Sequence, residues 1–173
     1  TRSAAGLRSE IGHPIIDADC HTVEYQPALK EYLNDDGIDI PLDSQFMPLF
    51  PPPDTKAPAW VGMSPSERAA LRATRQPWWG VPTTSPRDLA TVMFPRLFAE
   101  RLEEFGIDFA VVFPTFSLRF PFLEDADTRR AACRAANRYH RDIFADYRNQ
   151  LEPVALVPAN SPQEAIEDLE FAV

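Results

Sequence analysis

The sequence predicts an α/β protein built on a parallel sheet. Three short apolar runs carry that reading: "PIIDAD" at 14–19, "IDFAVVF" at 107–113 and "EPVALVP" at 152–158. Helical patterns separate them, giving the order β, insertion, α, β, α, β, α. Strands that alternate with helices and are apolar throughout point to a parallel sheet covered by its helices.

Pro14 fits the first position of the first strand, where its missing N–H costs no ladder bond. Residues 25–85 read as a long irregular insertion. Its "PLDSQFMPLFPPPDTKAP" at 41–58 excludes regular helix or central strand. One short helix near 64–74 is expected there, with Ser64 as N-cap, Pro65 at N1 and Glu67 closing a capping box. Loops of this length are usually lids or binding loops. A clear helix follows over 86–105, capped by Ser85 and opened by Pro86. Leu89, Val92, Met93, Leu97, Leu102 and Phe105 form its apolar face. Pro95 predicts a kink or break, and Gly106 the stop. The second strand ends at Pro114. A helix is expected over 126–149, and another after the third strand, with Ser161 as cap, Pro162 at N1 and Glu164 at N3.

The 173 residues suffice for one domain with a real core, and 45% hydrophobic with 25% charged residues is a globular composition. The net charge of −9 argues against nucleic acid and anionic membrane surfaces as partners. No apolar run has the length of a membrane span. Residues 1–13 read as a loose leader without the apolar core of a secretory signal. Cys20 and Cys133 make no disulfide framework, so a reducing, cytoplasmic setting is expected. Three strands make a poor parallel sheet alone, and the pattern runs out at a helix. The chain is therefore expected to be the N-terminal part of a larger α/β unit.

"IIDADCHTVE" at 15–24 is the stretch with chemistry. On a strand, Asp17, Asp19 and His21 point one way, and Ala18 and Cys20 the other. A carboxylate and an imidazole side by side can share a divalent metal; zinc takes both at about 2.0–2.2 Å. Manganese and iron(II) accept the same set. Glu24 is a candidate third ligand or a support for the other two. The competing reading is a salt-bridged pair, or a loop hydrogen-bonded to its own backbone.

"DADCHTVE" at the end of a first strand resembles the opening motif of the amidohydrolase-related family, in the branch of the aminocarboxymuconate-semialdehyde decarboxylase relatives. The resemblance extends through "QPWWGVPTTSPRDLATVMFPRLFAERLEEFGIDFAVVFPT" at 76–115 and "RAACRAANRYHRDIFADYRNQLEPVALVP" at 130–158. It covers roughly 14–173 in order. It implies the first three βα units of a (β/α)₈ barrel, whose active site lies at the C-terminal strand ends. It implies a metal held by Asp19 and His21, zinc first, with manganese or iron as alternatives. Many members carry His-x-His where this chain has Asp19-Cys20-His21. The family's further ligands, a His from a middle strand and an Asp from the last, are absent from this sequence.

Trp78 and Trp79 are candidates to wall a pocket or to anchor the proline-rich loop. Thr115, Phe116 and Asn160 follow the second and third strands and are pocket candidates by position. His140 reads as a surface or packing residue, Cys20 as buried and inert, and Arg129, Arg130, Arg134, Arg138, Arg141 and Arg148 as a solvated face. The expected activity is hydrolysis of a C–N or C–O bond on a small-molecule substrate. Non-oxidative decarboxylation of an unsaturated or aromatic acid is the alternative, and a non-catalytic half-barrel or α/β binding module the third. The first two need the rest of the barrel, from a second chain or further sequence, and an oligomer is expected.

Overall fold

The three apolar runs form one parallel sheet in the order β1-β2-β3, with β1 at Ile16–His21, β2 at Phe109–Phe113 and β3 at Leu151–Pro153. The computed structural model describes residues 2–40, 64, 66 and 85–173. The chain divides into two compact units: Thr1–Leu42 with Ser85–Val173, and Asp43–Thr84. Of the second, Ser64 and Ser66 alone are described, their hydroxyls 3.0 Å apart. The rest of the capping box expected at 64–67 lies outside the described residues, as does the remainder of that helix.

Helices are numbered along the described residues: α1 Ala4–Arg8, α2 Gln26–Asp35, α3 Pro86–Met93, α4 Pro95–Phe105, α5 Ala126–Phe144 and α6 Pro162–Ala172. The single helix expected over 86–105 is two helices. Phe94 between them is extended at φ −121°, ψ 111°, because a residue before proline is pushed out of the helical region. The caps fall where the spacing places them: the Ser85 hydroxyl accepts from the Asp88 N–H, and the Ser161 hydroxyl from the Glu164 N–H. Gly106 ends α4 with φ 72°, in the left-handed region that favours glycine. A Cβ there would also lie 2.9 Å from the Ala4 carbonyl oxygen.

Three elements differ from expectation. The start of the supposedly irregular insertion is α2, whose Leu29 and Leu33 are fully buried against Ala132, Ala136 and Tyr139 of α5. The leader contains α1, which is tied down where Arg8 Nε donates to Asp108 at 2.6 Å. β3 is also shorter than expected, pairing over 151–153 only.

α4 and α5 cover one face of the sheet. Phe98 and Leu102 from α4, Ala110 and Val112 from β2, Phe144 from α5 and Leu151 from β3 form one buried cluster. α6 docks on α5 by charge. Arg129 holds Glu164 in a two-pronged pair at 2.9 and 3.1 Å, and Asp168 accepts from both Arg130 and Arg134. These three arginines, expected on a solvated face, thus form a helix-docking surface. The expectation failed because their partners lie 34 to 38 residues further along the chain.

Candidate functional site

β1 does not alternate cleanly. Asp17 pairs with Ala110 and Cys20 with Val112, so three residues on β1 span two on β2. That is a bulge, which bends the strand and re-aims its side chains. Asp17, Asp19 and His21 therefore do not share one face as simple alternation predicts. Asp17 accepts from the Asp19 N–H at 2.9 Å. It also hydrogen-bonds the Cys20 thiol; burial first, then that bond, pushes the thiol up to about 12. Cys20 packs against the helix-covered cluster, so it is a protonated, poorly nucleophilic thiol.

Beyond the bulge His21 pairs with Phe113, and their rings lie 5.9 Å apart. Phe113 alternates with the buried Val112, so this pair is on the face away from α4 and α5. The backbone here is pinned on two sides. The Thr22 N–H donates to Phe113 O at 2.9 Å, and the Thr22 hydroxyl and Val23 N–H both donate to Val92 O. The Asp19 carboxylate is almost fully exposed, and its Oδ1 lies 3.9 Å from His21 Nε2. Two donors on one tetrahedral zinc sit about 3.3–3.4 Å apart, given zinc–ligand bonds of about 2.0–2.1 Å. A small swing of the exposed Asp19 side chain closes that gap. The pair has the donor types of a divalent-metal site, at a spacing wider than a shared zinc sets. Among the described residues, however, no three His, Cys, Asp or Glu side chains are grouped to hold one.

Glu24, expected as a third ligand or a support for the pair, has its carboxylate spent elsewhere. It is 0% exposed and accepts from the N–H groups of Thr115, Phe116 and Ser117 at 2.8–3.0 Å, and from the Ser117 hydroxyl at 2.5 Å. Four donors to one carboxylate leave little of it for a metal. His140 lies behind, its Nε2 3.8 Å from Glu24 Oε1. It is buried, not on the surface, and both ring nitrogens lack a hydrogen-bond partner. Burial holds its imidazole below the usual histidine range, against the opposing pull of Glu24. The neighbouring Tyr139 hydroxyl accepts from the Tyr25 N–H at 3.1 Å.

Thr115 is buried with its hydroxyl unpartnered, Phe116 is half-buried, and Asn160 is exposed in the turn before Ser161. Trp78 and Trp79 lie outside the described residues. The structure thus brings Asp19 and His21 together, turns Glu24 to the β2 exit with Thr115 and Phe116, and leaves Asn160 in solvent. Sequence reasoning missed the roles of Ser117 and His140. His140 had a signal: it continues the i, i+3, i+7, i+11 row of Cys133, Ala136 and Phe144 on α5. Ser117 had none.

An open cleft of about 870 Å³ lies at the other end of the strands, lined by Arg8, Arg96, Glu100, Asp108, Tyr147 and Gln150 among others. Neither Asp19 nor His21 lines it. Among the described residues no helix is long and apolar enough to cross a membrane. No family model, curated protein or solved structure matches the chain.

Proposed function

We propose that this chain is the N-terminal part of a metal-dependent amidohydrolase-like enzyme that hydrolyses a C–N or C–O bond in a small molecule. One observation carries the reading: a carboxylate and an imidazole, 3.9 Å apart, at the C-terminal end of β1, with the imidazole on the face of the sheet away from its helices. In a (β/α)₈ barrel that face is the interior and that end is the mouth. The sequential order β1-β2-β3 with helices on one face is the order such a barrel requires. The remaining strands and ligands come from a second chain or from further sequence.

Asp19 and His21 would hold the metal, which when bound supplies Lewis acidity and a water acidified toward neutrality. The rest falls to this chain's own groups. His21 presents Nε2 to the mouth while its ring lies against Phe113. The bonds to Phe113 O and Val92 O fix the backbone that aims it. Phe113 gives the site an apolar wall, and this favours the second reading, decarboxylation of an unsaturated or aromatic acid.

Turnover assays on the natively purified assembly test both, with amide, ester and unsaturated or aromatic acid panels. Activity removed by a chelator, restored by zinc or manganese and lost in His21→Ala is the expected result. Activity that survives chelation and His21→Ala overturns the proposal. A folded, metal-free, inactive assembly leaves the binding module.

A further inference from the structure

We infer that Glu24 is the positioning residue of the strand-end site, locking the loop after β2 against the segment that carries Asp19 and His21. The inference rests on the metal reading of that pair and adds a residue that does not itself touch the metal.

A fully buried carboxylate is costly unless it is hydrogen-bonded. Glu24 meets that condition with three consecutive backbone N–H groups and one hydroxyl, all from residues 115–117. Those residues directly follow β2, and Glu24 is three residues past His21. One side chain therefore staples the exits of two neighbouring strands. The rest of the β1 exit is held from the same side: Thr22 is bonded to Phe113 O, the last residue of β2. His21 itself pairs in register with Phe113. Displacing the 115–117 loop therefore pulls on the strand end that carries the imidazole. An amide cannot replace the carboxylate here, because its NH₂ would face donors. Supporting residues that orient metal ligands typically change metal affinity 10- to 100-fold when altered.

Cobalt(II) titration of the natively purified assembly, first stripped of metal by a chelator and read by the visible absorption band of bound cobalt, tests this in wild type, His21→Ala, Glu24→Gln and Ser117→Ala. The expected result is loss of the band in His21→Ala. In Glu24→Gln the affinity should be about 10- to 100-fold weaker, with a shifted band and unchanged far-ultraviolet circular dichroism. Ser117→Ala, which removes one hydroxyl donor and keeps the three N–H bonds, should weaken binding about threefold. If wild type and His21→Ala take up cobalt alike, the metal reading fails. If His21→Ala loses the band while folded Glu24→Gln binds as wild type does, the positioning role alone is overturned. Should Glu24→Gln fail to fold, Ser117→Ala decides: wild-type affinity and an unshifted band overturn the inference.

Discussion

On the sheet face turned to α4 and α5, Ala110, Val112 and Leu151 are no more than 1% exposed. On the opposite face Ile16 is 61% exposed, and Phe109, Val111 and Phe113 are only half-buried. Parallel sheets are normally covered on both sides. The difference separates a closely packed face from a half-exposed one. α6 repeats the contrast at helix scale. Its charged side is buried against α5, while Ile166 and Leu169 are each more than half exposed.

Core truncation sharpens the comparison most. Phe144→Ala, on the covered side, should cost about 3–5 kcal/mol in urea denaturation. Ile16→Ala, on the open side, should stay within about 0.5 kcal/mol. Equal costs would mean that both faces are already packed. Asp168→Ala comes next. It leaves Arg130 and Arg134 without their shared partner, so Tm should fall by several degrees. Hydrogen exchange should speed up in α6 and stay unchanged in α4; a uniform change along the chain would contradict charge docking.

Much of this architecture could be read from residue types. The three strands, the stop at Gly106 and the caps at Ser85 and Ser161 follow from local chemistry that acts within four residues. What could not be read depends on distant partners. The bulge in β1 is invisible because Asp17-Ala18-Asp19-Cys20 suits a straight strand equally well; the offset exists only against β2. Arg129, Arg130 and Arg134 look solvated until α6 brings its carboxylates to them. α2 was legible in principle, since Ala28, Leu29, Tyr32 and Leu33 share one helical face, but the proline-rich stretch that follows masked it. At the site, the donor pair was legible as Asp-x-His, whereas the Glu24 staple needed the 91-residue separation to Thr115 to be closed by the fold.

Smaller effects probe the same regions. Gly106→Ala should cost about 1–2 kcal/mol, because the left-handed backbone strains any Cβ, and its clash with Ala4 O should free α1. His140 supplies the pH dependence. Its folded-state pKa is lowered by burial, so the unfolded chain binds the proton first. Stability is then present above the unfolded value of about 6.5 and lost as pH falls below it. The slope is at most about 1.4 kcal/mol per pH unit, down to the folded-state value. Denaturation at a series of pH values should show this slope in wild type and a flatter one in His140→Phe. Smallest of all, Cys20 and Cys133, each raised to about 12 mainly by burial, should react with a thiol reagent at pH 8 only as the protein unfolds.

The most direct test of the central claim is the metal content of the natively purified assembly, measured with its intact mass, for wild type and His21→Ala. The account predicts roughly one divalent metal per site in wild type, polypeptide mass beyond one 19.5 kDa chain, and an emptied site in the variant. A metal-free wild type, or equal metal in both proteins, would contradict it.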